Sequence, residues 1–255
     1  MTPTKLEVGF VTYSNSSRTS AELKKWLENI PTSFVHIVNN YPNRASPQEI
    51  QGHNKYQDLG AYPLLISQFK SKGPYLIIND TLFVNHSPTL WKIAIKYWMK
   101  CPYPDKNTIW GDIRHSNTPF NEIPNTYLAS WIFLIPSKEE LNIFNELLLK
   151  SLENTPLQWS TEYNNYLNKF LNGNLFKGWH KIEQSDAKIL KKQCYFLEHT
   201  ISKHLLNHNI QLQPITKQKI YLYNLIRIID RLNTRYIFLK NWISHYFIKS
   251  VITHS

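Results

Sequence analysis

The strongest constraint on this chain is a strand, a helix and a second strand that follow one another between Leu6 and Asn40. Leu6-Glu-Val-Gly-Phe-Val-Thr-Tyr13 is dominated by β-branched and aromatic residues and reads as a buried strand. A polar turn, Ser14-Asn-Ser-Ser17, follows it. Thr19 or Ser20 then caps a helix reaching Glu28, with Leu23, Trp26, Leu27 and Ile30 at helical spacing and Pro31 as its stop. Phe34-Val-His-Ile-Val38 is the second strand, ending in Asn39-Asn40. Such an order predicts a right-handed βαβ unit with parallel strands in an α/β fold. Sheets of this kind present functional groups at the carboxyl ends of their strands. Here those ends are Thr12–Asn15 and Asn39–Asn40.

The pattern continues. Asp58–Phe69 reads as a helix, Gly73-Pro74 breaks the chain, and Tyr75-Leu-Ile-Ile78 is a short apolar strand running into Asn79-Asp80-Thr81. Ser87-Pro88 opens a helix with Leu90, Ile93, Ala94, Tyr97 and Trp98. Pro102 and Pro104 begin a stretch expected to be irregular as far as Asn125. Tyr127–Ile135 is another strand, and Ser137-Lys-Glu-Glu140 is a capping box for a helix to about Leu152. From Lys188 the chain reads as helical and amphipathic. Leu222, Leu225, Ile226, Ile229, Leu232 and Tyr236 form one stripe, while Lys217, Asn224, Arg227, Arg231 and Arg235 face elsewhere.

Composition removes several classes of function. Aromatics make up 14% of the chain and charged residues only 18%, the reverse of a disordered sequence. Seven glycines supply no GxGxxG and no GxxxxGK[ST], so neither a dinucleotide fingerprint nor a P-loop is present. Cys101 and Cys194 cannot build a disulfide framework or a zinc site, and no GxSxG elbow accompanies His115-Ser116. The start of the chain lacks an apolar leader, and no stretch approaches the roughly 20 apolar residues of a membrane span. A reducing, cytoplasmic setting is expected.

The net charge of +11 is uneven. Residues 1–180 hold 17 Lys and Arg against 14 Asp and Glu, whereas residues 181–255 hold 12 against 4. Two regions are therefore expected: a nearly neutral globular unit, 1–180, and a helical, basic C-terminal region, 181–255. Such a tail suits an anionic surface, whether lipid or nucleic acid; its alternatives are an ordinary helical subdomain packed on the first unit and a dimer interface. No RNP1-like, zinc-finger or helix-turn-helix pattern supports nucleic acid, which remains the alternative partner.

Asp80 ends a buried strand between Asn79 and Thr81, where a hard carboxylate ligand and neutral oxygens lie together. The bland alternative is an Asp that caps the next turn. The order of Thr12-Tyr13-Ser14-Asn15, Asn39-Asn40, Asn54…Asp58-Leu-Gly-Ala-Tyr62 and Ile77-Ile-Asn-Asp-Thr-Leu-Phe83, followed by Trp110-Gly111-Asp112, Ser116 and Tyr127-Leu-Ala-Ser130, resembles a known family. It is similar to GT-A-fold bacterial glycosyltransferases of the rhamnan synthesis protein F type over roughly residues 6–180.

The resemblance implies a mostly parallel, Rossmann-like sheet flanked by helices. It implies a hexosyl- or deoxyhexosyltransferase moving sugar from a nucleotide-sugar donor to a glycan or lipid-linked glycan of the bacterial surface, lipopolysaccharide O-antigen or capsule. Such an enzyme works in the cytoplasm, peripheral on the inner face of the membrane. Donor-binding roles fall on Thr12, Tyr13, Asn15, Asn39, Asn40, Asp58, Asn79 and Asp80. A divalent metal, Mn or Mg, is implied at Asp80 with His180 as a further ligand. An inverting transfer needs a carboxylate base, and the candidates are Glu162 and Asp112. Each role has a structural alternative: Asp58 as the N-cap of its helix, Glu162 as a capping-box acid. A non-catalytic homologue is the remaining alternative, because Asn39 stands where an acid is common and no second acid adjoins Asp80 in sequence.

Overall fold

A computed structural model describes residues 5–13, 18–43, 45–53, 56–100, 106–116, 124–156, 159–171, 185–216, 221–230 and 232. The strands are β1 (Leu6–Thr12), β2 (Thr32–Asn39), β3 (Ile50–Gln51), β4 (Tyr75–Asn79), β5 (Thr108–His115), β6 (Thr126–Ile135) and β7 (Gln211–Pro214). The helices are α1 (Arg18–Leu27), α2 (Gln57–Ile66), α3 (Thr81–Asn85), α4 (Pro88–Lys100), α5 (Lys138–Glu153), α6 (Thr161–Leu171) and α7 (Ser185–Asn207), with a further helix, α8, over 221–230.

The strands form one seven-stranded sheet in the order β3-β2-β1-β4-β6-β5-β7. β1 pairs in parallel with β2 and β4, β2 with β3, and β5 with β7, while β6 runs antiparallel to both β4 and β5. Only β6 is therefore reversed. This mixed α/β sheet contains the parallel β1–α1–β2 unit expected from the opening of the sequence and is compatible with a Rossmann-like fold.

Both faces are covered, as a mainly parallel sheet requires. On one face, Leu6, Val8 and Phe10 of β1 pack with Trp26 of α1, Trp91, Ala94 and Ile95 of α4, and Tyr223 and Ile226 of α8. On the other, Val11 and Ile77 pack with Leu59, Tyr62 and Leu65 of α2, Phe144 of α5, and Leu197 and Ile201 of α7. The all-buried pattern of β1 and β4 follows from this double cover. Gly9 lets α2 come close: a Cβ there would lie 2.5 Å from Leu65 Cδ2. Ser137 caps α5 by accepting from the Glu139 N–H at 3.2 Å, with Glu140 buried in the same turn, as the capping box predicts.

Two expected elements are corrected. The stretch expected to be irregular between Pro102 and Asn125 contains β5, whose alternation was masked by Trp110-Gly111 and by the charges of Asp112 and Arg114. β7 is polar and ends in Pro214, so neither apolar run nor alternation marks it. Beyond residue 180, β7 extends the sheet, and Ile215, Tyr223 and Ile226 join the first core cluster. The amphipathic stripe also divides: Leu222, Ile226 and Ile229 turn toward the core, while Leu225 and Leu232 face outward. No helix among the described residues is long and apolar enough to cross a membrane.

Candidate functional site

The chain leaves β1 toward β2 on one side of the sheet, and β4 lies on the other. Backbone connections diverge there, leaving a crevice beyond the carboxyl ends of β1 and β4, where α/β proteins take up their ligands. A cavity of about 330 Å³ occupies this place. Its wall includes Tyr13 from the end of β1, Asn79, Asp80 and Thr81 from the end of β4, and Gln57 and Asp58 from α2. Ser130 and Trp131 of β6, Arg114 of β5, and Lys191, Cys194, Tyr195 and Glu198 of α7 complete it.

Asp80 is held from β1. Its Oδ2 accepts the Tyr13 N–H at 2.7 Å and the Thr12 hydroxyl at 3.3 Å. Burial raises the Asp80 pKa, the Tyr13 N–H opposes that, and the charge of Asp58 adds to it. The second acid missing beside Asp80 in sequence is thus present in space. Asp58 lies in the first turn of α2, and its Oδ2 accepts from the Asn79 amide. Asn79 in turn accepts the Thr81 N–H at 3.0 Å, so its side chain joins Asp58 to the backbone just after Asp80. Asp58 is no N-cap: Tyr56 precedes the helix in a left-handed conformation without a side-chain capping bond. The Asp58-Leu-Gly-Ala-Tyr62 stretch therefore has a geometric meaning. Its acid lines the cavity, and one turn later the Tyr62 hydroxyl donates to the Ser130 carbonyl.

Ser130 belongs to an irregularity in β6. Pairing with β5 jumps from Gly111↔Phe133 to Ile113↔Leu128, which frees the intervening part of β6 to line the cavity. Bulges commonly re-aim side chains beside sites in this way. The freed Ser130 N–H donates to Glu198 Oε1 at 2.7 Å. Burial raises the Glu198 pKa against the pull of Arg114. Cys194 is also buried, which keeps its thiol protonated, and it contributes wall rather than a nucleophile.

The two expected bases do not share this setting. Asp112 has no exposed surface and lies outside the cavity wall. Its Oδ2 accepts from Arg114 Nε at 3.0 Å, Arg227 at 2.9 Å and Trp131 Nε1 at 3.1 Å, and its Oδ1 from the Tyr223 hydroxyl at 2.7 Å. Burial alone would raise its pKa, but Arg114 and Arg227 outweigh it and the net shift is downward. These donors, together with its place outside the cavity wall, set Asp112 apart from the acids that line the cavity. Glu162 is exposed on α6 and does not line the cavity; Ser160 serves that helix start by accepting the Tyr163 N–H at 3.3 Å.

Of the donor-binding residues, Tyr13, Asp58, Asn79 and Asp80 meet in the cavity, and Thr12 supports them through Asp80. Asn40 stands behind Tyr13, donating to its hydroxyl at 3.1 Å and to the Gln57 carbonyl at 3.0 Å. Asn39 is engaged elsewhere, donating to Glu49 at 3.1 Å and accepting the Tyr41 N–H at 2.9 Å, so it does not reach the cavity. Asn15 and His180 lie outside the described residues. Ser116 does meet a histidine, His199 Nε2 at 3.0 Å, but both are buried away from the cavity and burial lowers the His199 pKa to about 4.

Comparison with known proteins yields no match to any family model, curated protein or solved structure.

Residues from late in the chain were not foreseen: Arg114, Trp131, Lys191 and Glu198. One signal for Glu198 was available. It is the only acid between Ala187 and Thr216, and it sits on the same helical face as Tyr195 and Ile201. An acid on an apolar face is buried for a reason.

Metal binding can be tested against these side chains. Among the described residues no group of three His, Cys, Asp or Glu side chains could hold a metal ion. Two carboxylates in one pocket instead fit a magnesium-type ion, which completes its shell with water and substrate phosphates. Asp58 and Asp80 are the residues that would hold it.

Proposed function

We propose that this chain is a GT-A-type glycosyltransferase that takes a hexosyl or deoxyhexosyl group from a nucleotide-sugar donor. The acceptor is a growing bacterial surface glycan, lipopolysaccharide O-antigen or capsule, met at the inner face of the cytoplasmic membrane. The observation that carries this reading is the convergence of Asp80, Asp58 and Tyr13 in one cavity at the switch point of the sheet. A mostly parallel sheet with helices on both faces supports it, as does a volume in the range of small-ligand sites.

The chemistry is a displacement at the anomeric carbon. An acceptor hydroxyl oxygen bonds to that carbon, the carbon–oxygen bond to the diphosphate breaks with its electrons going to the diphosphate, and the hydroxyl proton passes to a carboxylate. Glu198 is the carboxylate suited to take it: it lines the cavity, and burial shifts its pKa toward the working range of a general base. Ser130 holds one of its oxygens through the backbone N–H, fixing its orientation. Arg114 and Lys191 line the same cavity and provide positive charge for the departing diphosphate. A divalent cation brought in with the donor would add to that neutralisation between Asp58 and Asp80. Thr12 and the Tyr13 backbone position Asp80, and the Asn79 amide positions Asp58.

The test is a thermal-shift series with nucleoside diphosphates, with and without Mn²⁺. Stabilisation by one of them, lost in Asp80→Asn, is the expected result. No response to any, beside tight and salt-sensitive binding of nucleic acid, would sink the reading. Transfer at the wild-type rate by Glu198→Gln would remove Glu198 from the base role and leave the donor site standing.

A further inference from the structure

Helix α8 buries polar groups beside its apolar ones. Asp230 is 3% exposed and accepts from His86 Nδ1 at 2.9 Å, the Ser87 N–H at 2.8 Å and Trp91 Nε1 at 2.7 Å. Tyr223 and Arg227 reach inward to Asp112 at 2.7 Å and 2.9 Å. These bonds fix the rotation of the helix about its own axis. The consequence is that Tyr221, Leu225, Ile228 and Leu232 are turned outward, 66%, 51%, 53% and 58% exposed. They are spaced i, i+4, i+7 and i+11, which makes a single apolar stripe along the helix.

Water is a poor environment for such a stripe. Its neighbours in sequence indicate what covers it. Residues 217–220 and 231–255 carry Lys217, Lys219, Arg231, Arg235, Lys240 and Lys249 and no Asp or Glu at all. An apolar stripe bordered by cationic chain matches an anionic bilayer surface, where apolar side chains enter the headgroup boundary and basic residues meet the lipid phosphates. A protein partner is a weaker match: stable interfaces bury about 1,200–2,000 Å² in total, and one narrow stripe supplies little of that.

We infer that α8 docks this protein on an anionic membrane surface through Tyr221, Leu225, Ile228 and Leu232. The inference stands apart from the glycosyl-transfer reading. It rests on how α8 is oriented and not on the cavity.

Flotation of the purified full chain with lipid vesicles tests it. The protein is expected to float with phosphatidylcholine vesicles containing about 30% phosphatidylglycerol, to stay behind with phosphatidylcholine alone, and to be released by about 1 M salt. The double substitution Leu225→Asp/Ile228→Asp is expected to weaken partitioning by about tenfold or more, given what burial of each such side chain is worth. A melting temperature equal to wild type certifies its fold, and Leu225→Ser/Ile228→Ser serves if it does not. Absence of flotation with the anionic vesicles overturns the inference, as does equal flotation of the variant. A wild-type dimer that the variant converts to monomer, without vesicle binding, overturns it in favour of contact between copies. The nucleoside-diphosphate thermal shift reads the cavity independently, so failure of the membrane inference and failure of the proposed function are told apart.

Discussion

Asp80 and Asp112 are both buried aspartates at the sheet, and their surroundings treat them in opposite ways. Asp112 sits under α8 with Arg114, Arg227, Tyr223 and Trp131 donating to it, and its pKa falls. Asp80 lines the cavity with donors from Thr12 and Tyr13, and its pKa rises because burial outweighs them. The difference separates a carboxylate that holds the fold from one that is available to a ligand. Donor count, not burial, decides which is which. Arg114 links the two regions, since it bonds Asp112 and lines the cavity with Glu198.

The largest effect is expected from removing the saturated acid. Asp112→Ala strands two guanidinium groups and two further donors in the interior and should cost about 3–5 kcal/mol of stability, read from urea or guanidinium unfolding. Asp112→Asn, which keeps an acceptor but loses the charge, should fall between this variant and wild type. A loss below about 1 kcal/mol for Asp112→Ala would erase the distinction from Asp80.

Asp80→Asn should leave the unfolding midpoint close to wild type, because the amide oxygen still accepts the Tyr13 N–H. The same variant should lower sugar transfer by about 100-fold or more if Asp80 meets the developing charge through its ligand. The comparison breaks if stability drops as far as in the Asp112 variant while transfer persists.

A third test uses pH. Asp80 and Glu198 have folded pKa values above their ordinary 3.8 and 4.5, so the folded state binds more protons than the unfolded in the window above those values. Their contribution to stability therefore falls as pH rises through that window. Asp112 is the reverse, with its contribution present above 3.8 and lost as pH falls toward its lowered folded value. Glu198→Gln should remove part of the downward slope above pH 4.5 in unfolding free energy measured against pH. An unchanged profile would show that Glu198 carries no such shift.

The smallest effect is expected at Glu162, which is exposed on α6 outside the cavity. Glu162→Ala should keep both melting temperature and transfer. A collapse of transfer would return the base role to it and displace Glu198.

Much of the fold was legible because it rests on local pattern. The buried runs Leu6–Thr12, Tyr75–Asn79 and Thr126–Ile135, the capped start of α5 and the helical spacing in α1 and α4 are signals carried by consecutive residues. So were the strand-end residues Tyr13, Asn79 and Asp80, because a strand's carboxyl end can be read without knowing its neighbours. β5 and β7 were not legible, since what makes them strands is pairing with β6 and with each other across more than 90 residues of chain.

The sequence by itself determined the class of sheet, its parallel beginning, and the polar groups at the ends of β1 and β4. Only the tertiary structure decided which acids line one cavity. Asp58 meets Asp80 because α2 crosses behind β1 at Gly9, and Glu198 joins them because α7 lies over β6 at Ser130. Asp112, within the irregularity of β5, is held instead by Tyr223 and Arg227 of α8. The physical reason is that a carboxylate's surroundings follow from the donors and charges packed around it, and these include Tyr223 and Arg227 for Asp112 and Ser130 for Glu198, each more than 60 residues away in the chain.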